Sequence, residues 1–190
     1  MRKIDLTGVV DKMENKNTTS LKFKYDLIQY FQYIEGSEDF VCIEVGAAHG
    51  YSTYVLGQLF KTVYSIEFNK SNLADAQTFN QKHSNINWRN IDAYTEPWEI
   101  FEYANVSFID CIHDYRHTTQ DINRSIGYGK DIMYLVFDDY GLFPEVKRAV
   151  DDFVASADCQ VTYIGHPAGT LVAVDRVVKA SEGVILKVKL

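Results

Sequence analysis

Apolar and polar positions alternate along the chain in blocks that predict strands and helices in turn. Phe40–Val45 and Ile132–Phe137 are almost wholly apolar, as is typical of strands buried on both faces of a parallel sheet. Within Leu21–Ile34, apolar residues recur every three or four positions, which predicts an amphipathic helix ending at Gly36. Because such blocks succeed one another over most of the chain, the pattern indicates an α/β fold.

Five strands separated by helices are predicted before the last helix. The strands are Phe40–Val45, a run ending at Glu67, Ile86–Ile91, Val106–Ile109 and Ile132–Phe137. The helices open at Tyr51-Ser52-Thr53, at a cap on Asn69 or Ser71, at Trp98 (a brief helix to Tyr103), at Thr118 and at Pro144. This order predicts a doubly wound, mostly parallel sheet.

The pattern changes at the end of the chain. Gln160–Ile164 and Thr170–Val174 are predicted strands whose link is too short for a parallel crossover, so this pair must be antiparallel. A second hairpin is predicted from Val177-Val178 to Val184–Leu190. The fold expected is therefore a seven-stranded, mostly parallel sheet with an antiparallel C-terminal hairpin, in a single domain over 1–190 whose residues 1–20 form a loose arm.

Composition and charge narrow the classes of function. The 190 residues carry a net charge of −7, which argues against a nucleic-acid partner because phosphate-backbone binding needs clustered Lys and Arg. The chain has no apolar run of membrane-spanning length, so we expect no membrane partner and a cytoplasmic location. The three cysteines form no CxxC pair and fit neither a disulfide framework nor a zinc site.

The first candidate site is the glycine turn between Val45 and Tyr51. Gly46 and Gly50 let a backbone approach a ligand, and Glu67 ends the next strand, where it can accept hydrogen bonds from a ribose. Ala48 stands where a dinucleotide site has its middle glycine, and an acidic residue is unfavourable beside phosphate. The turn therefore predicts a nucleoside ligand without phosphates and makes a dehydrogenase less favoured.

These residues resemble a known family. Residues 44–52 (EVGAAHGYS) look like motif I of class I S-adenosylmethionine-dependent methyltransferases. Residues 108–115 and 137–150 resemble the branch related to macrocin-type sugar O-methyltransferases and, more distantly, catechol and caffeoyl-CoA O-methyltransferases. The resemblance implies S-adenosylmethionine as cofactor, with Glu67 at the ribose and Asp92 beside the adenine. The residues implied to hold the cofactor are Glu44, Gly46, Ala48, Gly50, Ser52, Glu67, Asp92 and Asp110.

A second candidate site lies at the ends of the fourth and fifth strands. Asp110 follows one strand, and Asp138 and Asp139 follow the other. Adjacent strands are about 4.8 Å apart, so the three carboxylates converge and repel one another unless a cation lies between them. Hard oxygen ligands without cysteine favour Mg²⁺, Mn²⁺ or Ca²⁺. In the alternative interpretation, Asp138 caps a turn and Asp139 is solvated.

His113 follows Asp110 by three residues. In the O-methyltransferases that the chain resembles, this place holds a general base, and a neutral imidazole can accept the proton of an attacking hydroxyl. His117 is the other candidate base, and a purely structural loop role for His113 is also open. Cys111-Ile112 departs from the family pattern, in which a small and then an acidic residue stand there, so one expected carboxylate is missing.

The prediction is a divalent-metal-dependent O-methyltransferase that uses S-adenosylmethionine and acts on a hydroxyl of a sugar or other small polyhydroxylated molecule. The acceptor pocket must come from the N-terminal helix, the loops after the fourth and fifth strands, or a second subunit of a homo-oligomer. Two alternatives remain open: a metal-independent methyltransferase for another acceptor, and an inactive nucleoside-binding module on the same fold.

Overall fold

A computed structural model describes residues 4–6, 19–173 and 176–190 of the chain. Most of the arm predicted over residues 1–20 lies outside the described residues, as does Val174 at the end of one predicted strand. Among the helices that the structure describes, none is long and apolar enough to cross a membrane.

Five α-helices, one short 3₁₀-helix (Ser37–Asp39) and nine strands occur in the described residues. The helices are α1 (Leu21–Gln32), α2 (Tyr51–Leu59), α3 (Lys70–Phe79), α4 (Tyr115–Tyr128) and α5 (Pro144–Val154). The strands are β1 (Val41–Val45), β2 (Thr62–Ile66), β3 (Ile86–Arg89), β4 (Val106–Ile109), β5 (Ile132–Phe137), β6 (Cys159–Ile164), β7 (Leu171–Ala173), β8 (Arg176–Val177) and β9 (Gly183–Lys189).

Seven of the strands form one sheet in the order β3-β2-β1-β4-β5-β9-β6. The first five run parallel, and β9 runs antiparallel to both of its neighbours, β5 and β6. The predicted fold class is therefore confirmed: a mostly parallel seven-stranded sheet that ends in antiparallel strands. β4 and β5 are adjacent, as the convergence of Asp110 with Asp138 and Asp139 requires.

The pairing predicted for the C-terminal strands is wrong. β6 pairs with β9 rather than with the strand at 170–174, and the short strands β7 and β8 form a separate ribbon within the connection. The physical reason is burial. β9 is apolar on both faces and therefore lies inside the sheet, whereas β6 exposes Val161 and Tyr163 and occupies the edge.

The helix predicted over Trp98–Tyr103 is also absent. Trp98 is buried, donates its indole N–H to the carbonyl of Ala93 and stacks on Tyr128. Glu99 has a positive φ of 52°, which no right-handed helix tolerates. Side-chain burial of Trp98 therefore overrides the weak local preference for a helical turn.

Each face of the sheet is covered by its own apolar cluster. On one face, Phe31 of α1 and Leu56 of α2 are fully buried against the strands. On the other face, Ile122 of α4 and Val150 of α5 fill the equivalent layer. This two-sided burial leaves the carboxyl ends of the parallel strands as the edge where polar loops come together.

Candidate functional site at the carboxyl ends of the parallel strands

The glycine turn after β1 is shaped by close packing against neighbouring backbone. Gly46 has a φ of 94°, and a Cβ there would lie 2.0 Å from the carbonyl oxygen of Asp110. Gly50 has a φ of 80°, and a Cβ there would meet Asn80 and Ala76 of the α3 region. Both glycines therefore have a steric role within the protein: Gly46 allows the turn to pack against the end of β4, and Gly50 allows it to pack against α3.

Glu67 fixes the same turn from the end of β2. Its carboxylate accepts hydrogen bonds from the backbone N–H of Ala48 at 2.8 Å and of Asn69 at 2.7 Å. Ala48 has a positive φ of 45°, and the Glu67 bond stabilises this conformation. A carboxylate has about four lone-pair directions, so Glu67 can still accept from ribose hydroxyls.

Glu44 is placed differently from the sequence prediction. Its side chain is fully buried beneath the turn, where the hydroxyls of Thr53 and Ser65 donate to one carboxylate oxygen at 2.7 and 2.5 Å. Burial raises the pKa of Glu44 to about 7. The structure thus gives Glu44 protein partners that join β1, α2 and β2, and its carboxylate does not line the cleft.

Two further predicted cofactor contacts, Ser52 and Asp92, lie in a helix and in a loop. Ser52 is half-buried in the first turn of α2, with its Oγ 3.2 Å from the Thr19 Oγ1. Asp92 follows β3, where it accepts from the Tyr94 N–H and the Thr95 hydroxyl, and these bonds lower the pKa of Asp92. Asp92 therefore shapes its own turn and is available at the edge of the cleft.

Asp110, His113 and Asp139 form a compact cluster at the ends of β4 and β5. The His113 Nε2 lies 2.9 Å from Asp139 Oδ2 and 3.5 Å from Asp110 Oδ1. The imidazole stacks on Phe143, with ring centroids 4.3 Å apart. Burial alone would lower the pKa of His113, but hydrogen bonds to the two carboxylates outweigh it and raise the pKa to about 10. The imidazole is thus held protonated in this arrangement.

Asp138, predicted as a third carboxylate ligand, lies outside this cluster. The potential ligand atoms of Asp110, His113 and Asp139 all lie within 4.8 Å of one another, and those of Asp138 are not among them. Asp138 is buried, its Oδ1 has no hydrogen-bond partner among the described residues, and burial together with the charge of Asp139 raises its pKa. Asp139 has a φ of 60°, and this turn directs the two neighbouring side chains to different places.

His117, the alternative base, is also outside the cluster. Its Nδ1 lies 2.7 Å from the carboxylate of Asp114, which caps the N-terminus of α4. Its ring packs edge-on against Tyr94 at 4.4 Å. His117 therefore supports the start of α4, and His113 is the histidine that the structure brings to the aspartates.

Sequence reasoning missed Lys24. This lysine is 1% exposed, and its ammonium donates to the carbonyl and hydroxyl oxygens of Thr19. The signal was present in the helical pattern, because Lys24 lies three residues from Leu21 and from Leu27 and so falls on the apolar face of α1.

The residues present fit the groups that the resemblance implied. Two carboxylates and an imidazole nitrogen within 4.8 Å are a suitable donor set for one divalent cation. For a nucleoside methyl donor, Glu67 offers acceptors for ribose hydroxyls. The N-cap residue of α2 is Gly50, which has no side chain, so no side-chain cap occupies the first N–H groups of this helix.

Comparison with known proteins agrees with this geometry. Residues 43–140, slightly more than half of the chain, match the model of a family described as a methyltransferase domain. Among solved structures, the O-methyltransferase from Bacillus cereus in complex with SAH has a TM-score of 0.66 and 16% identity, covering 96% of this chain and 87% of that one.

Nucleic-acid enzymes share the fold as well. An rRNA methylase from Streptococcus thermophilus has a TM-score of 0.63 and 13% identity, covering 90% of this chain and 99% of that one. The tRNA (m1A58) methyltransferase from Aquifex aeolicus has a TM-score of 0.64 and 16% identity, covering 95% and 76%. Curated protein sequences give no significant match. At these identities the likeness shows a shared fold and does not select an acceptor.

Proposed function

The chain belongs to the methyltransferase domain family, and on this premise we propose that it transfers a methyl group from S-adenosylmethionine to a hydroxyl oxygen of a small molecule. The acceptor class we propose is a sugar or another small polyhydroxylated compound, which follows from the resemblance of residues 108–115 and 137–150 to the macrocin-type branch. The observation that carries the proposal is the convergence of Asp110, His113 and Asp139 beside the glycine turn.

The cofactor side is supported by the arrangement of acidic and backbone groups around the turn. Glu67 holds Ala48 in its strained conformation and keeps acceptor capacity for a ribose. Gly46 brings the turn against Asp110, so a ligand bound at the turn lies next to the acidic end of β4. A methyl donor with a positive sulfonium is favoured near such carboxylates.

The acceptor side must remove a proton. Methyl transfer forms a bond between the acceptor oxygen and the methyl carbon, breaks the carbon–sulfur bond and releases the hydroxyl proton. A divalent cation held by the Asp110 and Asp139 carboxylates would supply positive charge that lowers the pKa of the acceptor hydroxyl, and the His113 nitrogen would remain available to accept its proton. In the arrangement described here, the two carboxylates keep His113 protonated, so His113 serves as a base only where their charge is offset.

An RNA acceptor is the second candidate, because RNA methylases are among the fold neighbours. The net charge of −7 and the acidic lining of the site oppose it, since binding to a phosphate backbone requires clustered cationic side chains. We therefore propose a small-molecule partner without nucleic acid. A metal-independent reaction is compatible with the His113–Asp139 pair, and turnover in EDTA distinguishes it from the metal-dependent one.

Calorimetry with S-adenosylmethionine and S-adenosylhomocysteine tests the cofactor assignment, and Glu67→Ala is the variant that should weaken binding most directly. Absence of binding by the native protein would refute the methyltransferase proposal as a whole. Methyl transfer is then followed by mass spectrometry against sugars and other polyhydroxylated acceptors, with Mg²⁺ and with EDTA. Transfer to RNA alone would show that the acceptor is RNA and not a small molecule. Full turnover in EDTA would show that the reaction needs no divalent cation.

A further inference from the structure

Lys24 is a charged side chain buried in the first turn of α1. It is 1% exposed, although removing an ammonium from water is costly unless acceptors replace the lost hydration. The helix does not explain its position either, because a positive charge near a helix N-terminus opposes the macrodipole. Burial lowers the pKa of Lys24 to about 8, and the charges of Asp138, Asp110 and Glu182 oppose this effect.

The Lys24 ammonium is used to orient Thr19. Its Nζ donates to the Thr19 carbonyl and to the Thr19 Oγ1. An ammonium can only donate, so the Thr19 oxygen must accept from it. Accepting from a cation strengthens the Thr19 hydroxyl as a donor, and its neighbour is the Ser52 Oγ at 3.2 Å.

The segment that carries Thr19 is fixed independently by Ser20. The Ser20 N–H and hydroxyl donate to the two oxygens of the Glu182 carboxylate at 3.0 and 2.7 Å. Glu182 also accepts from the His166 N–H at 2.9 Å, and both Thr19 and Glu182 are 2% exposed. Thr19 therefore has a defined place between α1 and the first turn of α2.

We propose that Lys24 is a positioning residue for the cofactor site. Because Thr19 accepts from Lys24, the Thr19 hydroxyl donates to the Ser52 Oγ, and the Ser52 hydroxyl is left to donate to a ligand oxygen. This inference rests on the proposed function, and it assigns the ligand oxygen to the anionic carboxylate of the cofactor's amino-acid end. The first turn of α2 would favour an anion there, because the helix has no side-chain cap and a helix N-terminus presents N–H groups and the positive end of the dipole.

The test compares two probes that differ in the carboxylate. S-Adenosylhomocysteine carries it, and 5′-methylthioadenosine lacks the amino-acid end. Thr19→Val removes the hydroxyl at nearly constant shape, and Lys24→Met removes the ammonium and keeps the stem. By calorimetry, each variant should bind S-adenosylhomocysteine about five- to tenfold more weakly and 5′-methylthioadenosine within twofold of native.

Two controls isolate the relay. Thr19→Ser keeps the hydroxyl and should bind like native. Lys22→Met removes an exposed lysine of the same helix, which forms an ion pair with Asp26 at 2.7 Å, and should bind like native. The double variant Lys24→Met/Thr19→Val should be no weaker than Thr19→Val alone, because both changes break one chain of hydrogen bonds.

Equal losses for both probes, native-like affinity of Thr19→Val, or additive effects of the two changes would each overturn the proposal. If the native protein binds neither probe, the proposed function fails. Hydrogen exchange on the free protein then tests the chain of hydrogen bonds from Lys24 through Thr19 to Ser52 by itself. Lys24→Met should then speed deuterium uptake over residues 50–54 relative to Lys22→Met, and equal uptake would overturn it.

Discussion

The His113 Nε2 lies 2.9 Å from the Asp139 Oδ2, and the same nitrogen lies 3.5 Å from the Asp110 Oδ1. One imidazole nitrogen is therefore shared by carboxylates from the ends of two adjacent strands. The Phe143 ring stacks on this imidazole, with ring centroids 4.3 Å apart. The imidazole is fixed in orientation before any ligand binds.

His113→Ala should lower kcat by roughly 10²–10⁴-fold, the range expected when an acid–base group is removed. Affinity for S-adenosylhomocysteine should stay within about twofold of native, because we propose that His113 faces the acceptor, whereas Glu67 at the glycine turn contacts the cofactor. The measurements are steady-state rates and calorimetry. His117→Ala is the matched control, since His117 pairs with Asp114 away from the aspartates. A larger loss of kcat in His117→Ala than in His113→Ala would show that His117, and not His113, is the base.

Asp139→Asn and Asp138→Asn should separate neighbouring carboxylates that the sequence does not distinguish. Asp139→Asn should weaken Mn²⁺ binding at least about tenfold, or about 1.4 kcal/mol, because it removes one of two carboxylate ligands and its negative charge. Asp138→Asn should retain it, since Asp138 lies outside the cluster. Electron paramagnetic resonance of free Mn²⁺ measures both. Equal losses of Mn²⁺ affinity in the two variants would show that Asp138 is a metal ligand as well.

The sequence predicted the fold well where periodicity and strand order suffice. Continuous apolar runs such as Ile132–Phe137 identified buried parallel strands, and these fixed the edge at which Asp110 and Asp139 meet. The pairing of β6 with β9 was not predictable in the same way, because an apolar pattern identifies a strand but does not show which strand it pairs with. The burial of β9 decides it, and burial depends on the whole sheet.

The structure brings some of the predicted site residues together and separates others. His113 and Asp110 are brought together as expected, whereas Asp138 and Asp139 diverge because Asp139 has a positive φ. Glu44 looked like a ligand contact beside a glycine turn, but β1 is a central strand whose side chains are buried on both faces. Its carboxylate accordingly finds partners within the protein.

Glu44→Gln should change how stability depends on pH. The pKa of Glu44 is raised from 4.5 to about 7, so the native state binds more protons than the unfolded state between these values. The contribution of Glu44 to stability should therefore fall as pH rises through this window, by up to about 3 kcal/mol, and be level above it. Glu44→Gln should show a correspondingly shallower fall than native, because Asp121, whose pKa is also raised to about 7, keeps its own contribution; urea unfolding at about pH 4.5 and about pH 8 measures the difference.

Glu145→Gln provides the control for that profile, because Glu145 has an exposed side chain paired with Arg148. Its stability should follow the native pH dependence. A native profile that is flat between the two pH values, or a Glu44→Gln profile that falls as steeply as native, would contradict the buried position of Glu44.

Gly46→Ala should be far more destabilising than Gly36→Ala, although both glycines have a positive φ. Gly36→Ala incurs only the left-handed strain of about 1–2 kcal/mol, since a Cβ at Gly36 meets nothing within 4 Å. A Cβ at Gly46 would lie 2.0 Å from the Asp110 carbonyl oxygen, so either the turn or the end of β4 must move. Thermal unfolding of the two variants measures the difference, and S-adenosylhomocysteine binding by folded Gly46→Ala should be lost. Equal melting temperatures would show that the turn does not pack on β4 as described.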